Sequence, residues 1–286
     1  MQGTVDGFSY GLVTPLVAYL MACLGGALGL RCTTRSMLVT HSWRPGWLAL
    51  GSAAIGSGIW TMHFIAMMGF SVQETPIQYD KPITFASLGV AILMVGIGIF
   101  IVGYKGASGT ALFTGGTITG LGIATMHYLG MAGMRLNGKL EYNTFTVAAS
   151  VVIAVAAATA ALWAAGQVRG FLWSVGASLV MGLAVSGMHF TGMAALSVHL
   201  HTTTDVTSGD SPAALLAPML IGPLAFLFLA GVVVMFDPLM VMNSEWSPAQ
   251  QKPGIPAHMV RHTGRRPTTR PRRRPDRPGS RTPQRW

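Results

Sequence analysis

The sequence predicts an all-α membrane protein: a polytopic helical bundle of about seven transmembrane helices built from repeated helical hairpins. Its composition is the first indication, because 51% of the 286 residues are apolar and only 10% are charged, against about 25% charged residues in typical soluble domains. A bilayer-spanning helix needs about 20 mostly apolar residues. Runs near this length occur at 11–30, 46–70, 83–103, 111–134, 145–165, 171–197 and 215–236. The third indication is a short motif that recurs in every second run.

Glycine is frequent inside these runs, for example at Gly25, Gly26, Gly58 and Gly116. An interior glycine weakens a helix in water by about 1 kcal/mol relative to alanine, but in lipid it allows helices to approach closely. We therefore expect residues 8–236 to form one tightly packed membrane domain.

The orientation follows from the short loops, because Lys and Arg are enriched on the cytoplasmic side of membrane proteins. The first ten residues contain Asp6 and no Lys or Arg, so they lack the basic start of a cleavable signal peptide. We expect the first span to stay in the mature protein, with the N-terminus outside. The inner loops then carry Arg31, Arg35, Arg44, Lys105 and Arg169, and the outer loops Lys81, Arg135 and Lys139. Seven spans place the C-terminus in the cytoplasm and the protein, as a multi-pass chain, in the inner or plasma membrane.

The C-terminal segment, 237–286, differs in composition from the rest of the chain. From residue 247 onward it is rich in Pro, Arg and Thr, and Lys252 with ten arginines supplies most of the net charge of +10. With so few aliphatic side chains, this cytoplasmic tail is predicted to be disordered. Its charge favours contact with anionic lipid headgroups of the bilayer. No folded reader accompanies the arginines, so we expect no nucleic-acid partner.

An internal repeat is the most informative feature of the sequence. Its shared core is Met-His-(Phe or Tyr)-x-(Ala or Gly)-Met. The copies read TMHFIAMMGF at 61–70, TMHYLGMAGM at 125–134 and GMHFTGMAAL at 187–196. Successive copies are 64 and 62 residues apart, which matches a repeat unit of two spans with their loops. Spans two, four and six therefore all run from inside to outside and place the motif one to two turns below the outer surface. We expect the three hairpins to bring His63, His127 and His189 together.

Imidazole and thioether groups share one face of each motif, because residues four apart are neighbours on a helix. The Met preceding each His is turned about 100° away, so it reaches the same site only at its edge. The candidate metal ligands are His63, His127, His189, Met67, Met131, Met193, Met62, Met126 and Met188. This borderline-to-soft donor set favours copper over Mg²⁺, Ca²⁺ or structural zinc. The small residue three positions after each His would let a neighbouring helix approach the imidazole closely.

A second part of the repeat opens the spans that follow the first two motifs. Tyr79-Asp80 and Tyr142-Asn143 stand there, with Tyr10 in the corresponding place before the first span. The predicted role of Asp80 and Asn143 is a hydrogen bond to the second ring nitrogen of a ligating His.

Other candidate groups carry less weight. His199 and His201 follow span six and are expected to be solvated loop residues, and Cys23 and Cys32 are expected to be buried thiols. The sequence contains no nucleophilic triad, no thiol pair at redox spacing and no paired carboxylates. We therefore expect the protein not to be an enzyme.

The triple motif on alternate helices of a seven-span bundle resembles the bacterial MHYT-domain integral membrane sensors over residues 8–236. The third copy, MHFT at 188–191, comes closest to the sequence that names the family, whereas Ile65 and Leu129 take the fourth position in the other copies. The resemblance implies copper bound near the outer membrane face by the nine Met and His residues above, and sensing of a diatomic gas such as O₂, CO or NO. Many members are joined to a cytoplasmic enzyme of cyclic di-GMP metabolism or to a kinase. Here we expect the signal to pass to an unidentified cytoplasmic partner, to lipid or through the tail.

The leading interpretation is thus a copper-binding membrane sensor in signalling. Three alternatives stay open on the sequence alone: a copper transport or storage protein, a membrane haem protein with two axial histidines, and buried histidines with a purely structural role.

Overall fold

A computed structural model describes residues 3–7, 9–167, 171–200 and 211–237. The described chain contains seven long helices. These are α1 (Val13–Leu38), α2 (Arg44–Met68), α3 (Lys81–Lys105), α4 (Gly109–Ala132), α5 (Thr144–Gln167), α6 (Phe171–Ala194) and α7 (Pro212–Met235). The predicted helical membrane bundle is confirmed, with one helix for each apolar run.

Six of these helices are long and apolar enough to cross a membrane. The exception is α4, which has 24 residues but is so rich in Gly and Thr that its average apolar character is lower. It is still enclosed on both sides by apolar helices, because it packs against α3 and α5. The chain is therefore a multi-pass membrane protein whose fourth helix enters the bundle as part of a hairpin.

The first six helices form a closed ring of three hairpins. The partners α1–α2, α3–α4 and α5–α6 pack along each other, and contacts of α2 with α3, α4 with α5 and α6 with α1 join the hairpins. Helix α7 lies against α2 and α1. Each hairpin carries one copy of the motif near the end of its second helix, so the repeat in the sequence is a repeat in the structure.

Short strands, which the sequence did not predict, close each hairpin at the end of the bundle that carries the motifs, here called the motif end. They are β1 (Val5–Asp6), β2 (Ser71–Val72), β3 (Gln78–Tyr79), β4 (Met134–Arg135), β5 (Gly138–Tyr142) and β6 (Leu196–Leu200). They pair antiparallel as β1–β2, β3–β4 and β5–β6, with Val5 opposite Val72, Gln78 opposite Arg135 and Gly138 opposite Leu200. Strands of two to five residues are too short to produce a clear alternating pattern in the sequence.

One backbone hydrogen bond recurs at the base of each strand pair. The amides of Ser9, Asp80 and Asn143 donate to the carbonyls of Gly69, Gly133 and Ala195 at 3.0, 2.8 and 2.9 Å. Each acceptor lies six residues after the His of its motif. Ser9 is therefore the residue before α1 that corresponds to Asp80 and Asn143. Tyr79 and Tyr142 directly precede those residues, whereas Tyr10 directly follows Ser9, so the predicted equivalence of Tyr10 with the later tyrosines was wrong.

Close helix approach inside the bundle depends on glycine. A Cβ atom added to Gly58 of α2 would lie 2.6 Å from the Cα of Gly25 in α1, so the two backbones touch at this level. Trp60, which is fully buried, joins α2 to α3, because its Nε1 donates to the Thr84 carbonyl at 3.1 Å and to Ser87 Oγ at 3.0 Å.

At the opposite end of the bundle, here called the tail end, a buried ion pair joins the first and last helices. Arg35 Nε of α1 donates to Asp237 Oδ2, directly after α7, at 2.6 Å. The Arg35 guanidinium also lies over the Trp47 ring, 5.4 Å from its centroid. Asp237, the first residue of the predicted tail, is thus held in the bundle. The remainder of that tail, 238–286, lies outside the described residues.

Candidate metal centre

The three motif histidines meet inside the bundle, as the spacing predicted. His63 Nδ1 lies 3.0 Å from His189 Nδ1 and 3.1 Å from His127 Nδ1, and the third separation is 3.3 Å. Each side chain is only 1% exposed. Within the described ranges, no other group of three or more His, Cys, Asp or Glu side chains has its ligating atoms within 4.8 Å of one another.

The three imidazoles are arranged like the blades of a propeller. Their ring centroids are 4.9, 5.0 and 5.1 Å apart, and the ring planes cross at 82, 79 and 89°. Each ring comes from a different hairpin and directs Nδ1 to a common centre, which leaves Nε2 on the far side. The arrangement therefore presents three nitrogen atoms to one point.

Hydrogen bonds among the rings cannot account for this triangle. A neutral imidazole nitrogen either carries a proton and donates, or lacks one and accepts. Among three mutually adjacent nitrogens at least two must be of the same kind, so at most two of the three contacts can be hydrogen bonds. The third contact opposes two lone pairs or two protons in a buried site, where water is excluded and such a mismatch is costly.

A metal ion fits the centre of the triangle. With Nδ1 separations of 3.0 to 3.3 Å, a point in their plane lies about 1.8 Å from each nitrogen. A point slightly out of the plane lies about 2.0 Å away, which is the usual distance from zinc to an imidazole nitrogen. Imidazole suits Zn, Cu, Fe and Ni, and not Mg²⁺ or Ca²⁺. Three unprotonated nitrogens around one cation would remove the mismatch described above.

Small residues of the neighbouring repeats support two of the rings. A Cβ added to Gly130, three positions after His127, would lie 2.7 Å from Nε2 of His63. The nearest atom to a Cβ added at Gly192, three positions after His189, is Nε2 of His127, and it lies closer still. The expectation that these small positions admit a neighbouring helix is confirmed for both glycines.

The six candidate methionines differ in their burial. Met62, Met67, Met126, Met131 and Met188 are at most 1% exposed, whereas Met193 is half-buried. The contacts that define the centre are all between imidazoles. Ligation by the methionines stays a prediction.

The predicted hydrogen bonds from Asp80 and Asn143 to the histidines were wrong. Asp80 caps α3 by accepting from the Ile83 amide at 3.1 Å and pairs with Arg135 at 3.0 Å. Asn143 Oδ1 accepts from the amides of residues 145 and 146 at the start of α5. Both side chains instead accept hydrogen bonds from the first amides of the helix that follows them, because these amides have no partner within the helix. In the described structure the Nε2 atoms of His63 and His127 are buried and without a hydrogen-bond partner.

Electrostatics at the motif end follow from this cap. Two hydrogen bonds to the Asp80 carboxylate lower its pKa below the ordinary value of 3.8. The bond from the Ile83 amide has the larger effect, and the bond from the Arg135 guanidinium has the smaller one. The carboxylate is therefore ionised at neutral pH and stabilises the start of α3.

The aromatic residue after each His packs edge-on against it. Phe64, Tyr128 and Phe190 have ring centroids 4.6, 4.8 and 5.0 Å from the preceding imidazole. The Thr191 hydroxyl, at the variable fourth position of the motif, donates to the Gly187 carbonyl of its own helix at 2.7 Å. These side chains hold the rings in place instead of presenting further donors to the centre.

The remaining candidate histidines behave differently. His199 lies in β6, where its Nδ1 is 3.7 Å from Glu141 Oε2 and its side chain is 49% exposed, so it belongs to a strand and not to the predicted loop. His201 lies outside the described residues. Cys23 and Cys32 are buried free thiols, as expected.

Comparison with known proteins accounts for the three-fold arrangement. A family model, MHYT, described as a bacterial signalling protein N-terminal repeat, matches residues 56–115, 120–178 and 182–236. Each match contains one histidine of the cluster, and together they cover more than half of the chain. The chain belongs to the MHYT family.

Curated MHYT-type relatives are signalling proteins. MucR of Pseudomonas aeruginosa, a bifunctional diguanylate cyclase/cyclic di-GMP phosphodiesterase, is 37% identical over 65% of this chain and 28% of its own length. The cyclic di-GMP phosphodiesterase NbdA of the same organism is 34% identical over 78% of the chain and 30% of its own length. The signaling protein YkoW of Bacillus subtilis is 31% identical over 67% of the chain and 24% of its own length. The chain thus spans less than a third of each of these relatives. No solved structure matches it.

Proposed function

We propose that this bacterial MHYT signalling protein is a membrane sensor whose three motif histidines hold one copper ion. The observation that carries the proposal is the triangle of Nδ1 atoms 3.0 to 3.3 Å apart, because a shared cation would satisfy all three nitrogens at once. His63, His127 and His189 would be the ligands, and their burial excludes water from the ion.

Copper is preferred because of the surroundings of the triangle. Thioether groups select Cu(I) among the metals that imidazole binds. Five of the six motif methionines, which directly precede a motif histidine or follow it by four residues, are fully buried. A bound copper ion supplies a coordination position that a diatomic gas such as O₂, CO or NO can occupy. The aromatic rings that pack edge-on against the imidazoles, together with Gly130 and Gly192, would keep the imidazoles fixed around that position.

The output of the sensor is inferred from the relatives. MucR and NbdA carry cyclic di-GMP enzyme activities in their names, so we infer that this chain reports to cyclic di-GMP or related signalling through cytoplasmic partners or segments. The proposal includes a membrane orientation. The motif end faces the outside, and the basic tail contacts anionic lipid headgroups at the inner face. A ligand transmits a signal only if it binds two bundle states with different free energies.

The geometry supports one ion over a haem. Two axial histidines must stand on opposite faces of a porphyrin, whereas here every pair of Nδ1 atoms is at most 3.3 Å apart. A transport or storage role requires further Met or His sites along the path through the bundle. Within the described residues the histidine cluster is the one group of three or more His, Cys, Asp or Glu side chains close enough to share an ion, so a further site of that size would need methionine thioethers.

The test is the copper content of the purified protein after loading with Cu(I). We expect about one tightly held copper per chain, lost in each of His63→Ala, His127→Ala and His189→Ala, and retained in the strand variant His199→Ala. His127→Gln keeps a side chain of similar volume, so loss of copper in this variant reports the missing imidazole and not misfolding. Unchanged copper in all three alanine variants would overturn the proposal, and a preference for zinc over copper at equal loading would overturn the choice of metal.

A further inference from the structure

A cavity lies along the axis of the bundle, directly beneath the histidine triangle. Its walls include the residue four positions before each histidine, which are Ile59, Ile123 and Val185, and the residue eight positions before, which are Ile55, Thr119 and Met181. Residues four apart share a helix face, so these two layers point to the same centre as the imidazoles. At 1.5 Å per residue they lie about 6 and 12 Å below them.

The other helices extend the cavity toward the tail end. Helix α5 lines it from Ala157 to Gly166, a rise of about 14 Å. Thr33 and Met37 of α1 and Gly103 of α3, all near the tail ends of their helices, also belong to the wall. The cavity therefore extends from about one helical turn below the histidines into the tail-end half of the bundle.

The lining is unsuited to water. Nearly all wall groups are apolar, and the Thr33 hydroxyl is already used, since it donates to the Gly29 carbonyl. Thr119 Oγ1 is buried and, in the described part of the chain, has no hydrogen-bond partner. An ordered buried water needs two to four polar partners, so a single free hydroxyl cannot hold one. Apolar cavities of this kind stay dry and accept apolar guests.

The size limits the guest to a small molecule. The cavity measures about 40 Å³, several times the roughly 10–15 Å³ needed for one water and well below the roughly 150 Å³ of a dry cavity that takes benzene. A xenon atom or a molecule of two or three heavy atoms matches this space.

We propose that this cavity is a binding chamber for a small, uncharged, apolar molecule, held on the tail-end side of the histidine triangle. The chamber rests on the proposed function and deepens it, because it would hold such a ligand about one helical turn below the three imidazoles. Binding of a small apolar molecule in the chamber depends only on the wall residues, so the chamber binds such a molecule with or without a metal ion at the histidines.

Xenon binding to the metal-free protein in lipid nanodiscs, followed by the ¹²⁹Xe chemical shift during xenon titration, tests the chamber. We expect saturable binding in the wild type and in Ala156→Leu, whose residue is exposed on α5 and does not line the cavity. Ala158→Leu, which fills the wall at a buried position, should weaken binding at least tenfold, with Ala165→Leu, also buried in the wall, as a second filling variant if the first does not fold. Helical circular dichroism and elution volume report folding.

The outcome is independent of the copper experiment. Saturable binding lost on filling the wall supports the chamber even if His63→Ala leaves copper unchanged and the proposed function fails. Equal xenon affinity in wild type, Ala158→Leu and Ala165→Leu, or no saturable binding in the wild type, overturns the chamber and leaves the metal centre untouched.

Discussion

Two of the three imidazoles are contacted by a glycine position of another repeat. Gly130 of the second motif faces Nε2 of His63, and Gly192 of the third faces Nε2 of His127. The interaction links helices that are distant in sequence, so the motif acts as an interlocking set and not as three independent sites. Groups that position a metal-ligating histidine typically change metal affinity by about 10–100-fold when mutated.

Gly130→Ala and Gly192→Ala are therefore expected to weaken copper binding by about 10–100-fold, because the added methyl group displaces the neighbouring imidazole. Competition with a Cu(I) chelator of known affinity measures the change. Gly187→Ala is the matched control on α6, since a Cβ there meets nothing within 4 Å. Wild-type affinity in both glycine variants would mean that the rings are not held by these contacts.

Asp80 provides a pH-dependent prediction at the same scale. Its folded-state pKa is lowered by the Ile83 amide and by Arg135, so its stabilising effect is present above the ordinary value of 3.8 and is lost as pH falls through the folded value. Asp80→Ala should lower the melting temperature by a constant amount between about pH 5 and 8, with the difference shrinking below about pH 4. Asp80→Asn retains a capping oxygen and should remove most of the acid dependence. A difference that persists undiminished at pH 3 would contradict this role.

At the scale of elements, the two ends of the bundle are fixed in different ways. Backbone pairing of short strands closes each hairpin at the motif end, whereas side chains alone join α1 to the end of α7 at the tail end. This junction joins the first and the last of the described helices.

Asp237→Leu should destabilise the bundle by about 3–5 kcal/mol, because it leaves the Arg35 charge buried without this carboxylate. The two side chains are 11% and 6% exposed, so solvent screening of the pair is small. The double variant Arg35→Met with Asp237→Leu should recover most of the loss, since an apolar pair of similar volume avoids a buried charge. Unfolding in a denaturing detergent gradient provides the comparison. A double variant no more stable than the single one would show that the ion pair is not what joins these helices.

At the scale of the whole molecule, a pseudo-three-fold repeat explains which features were visible in the sequence. His63, His127 and His189 recur on every second helix, with one helix between successive copies, so the motif helices run in the same direction and carry them to one end and one depth. Strands of two residues, such as Val5–Asp6, are too short to show an alternating pattern in the sequence. Arg35 and Asp237 are 202 residues apart and follow no motif, so their pairing depends on packing that local sequence patterns do not encode. The cavity likewise became visible only when six helix faces were assembled.

Membrane orientation is a further prediction for the molecule as a whole. In a background with Cys23 and Cys32 replaced, Lys139→Cys at the motif end should react with a membrane-impermeant maleimide added to intact cells. Ser108→Cys, exposed between α3 and α4 at the tail end, should react only after permeabilisation. The reverse pattern would place the histidine cluster near the cytoplasmic face.

The central claim is that one ion is shared by three imidazoles, and X-ray absorption at the copper K-edge of the Cu(I)-loaded protein tests it most directly. The geometry predicts a shell of three nitrogens at about 2.0 Å with the outer-shell scattering of imidazole, reduced in His127→Ala; an additional sulfur shell would add a methionine ligand. A shell of sulfur alone, or a spectrum unchanged when His127 is replaced, would contradict the shared site.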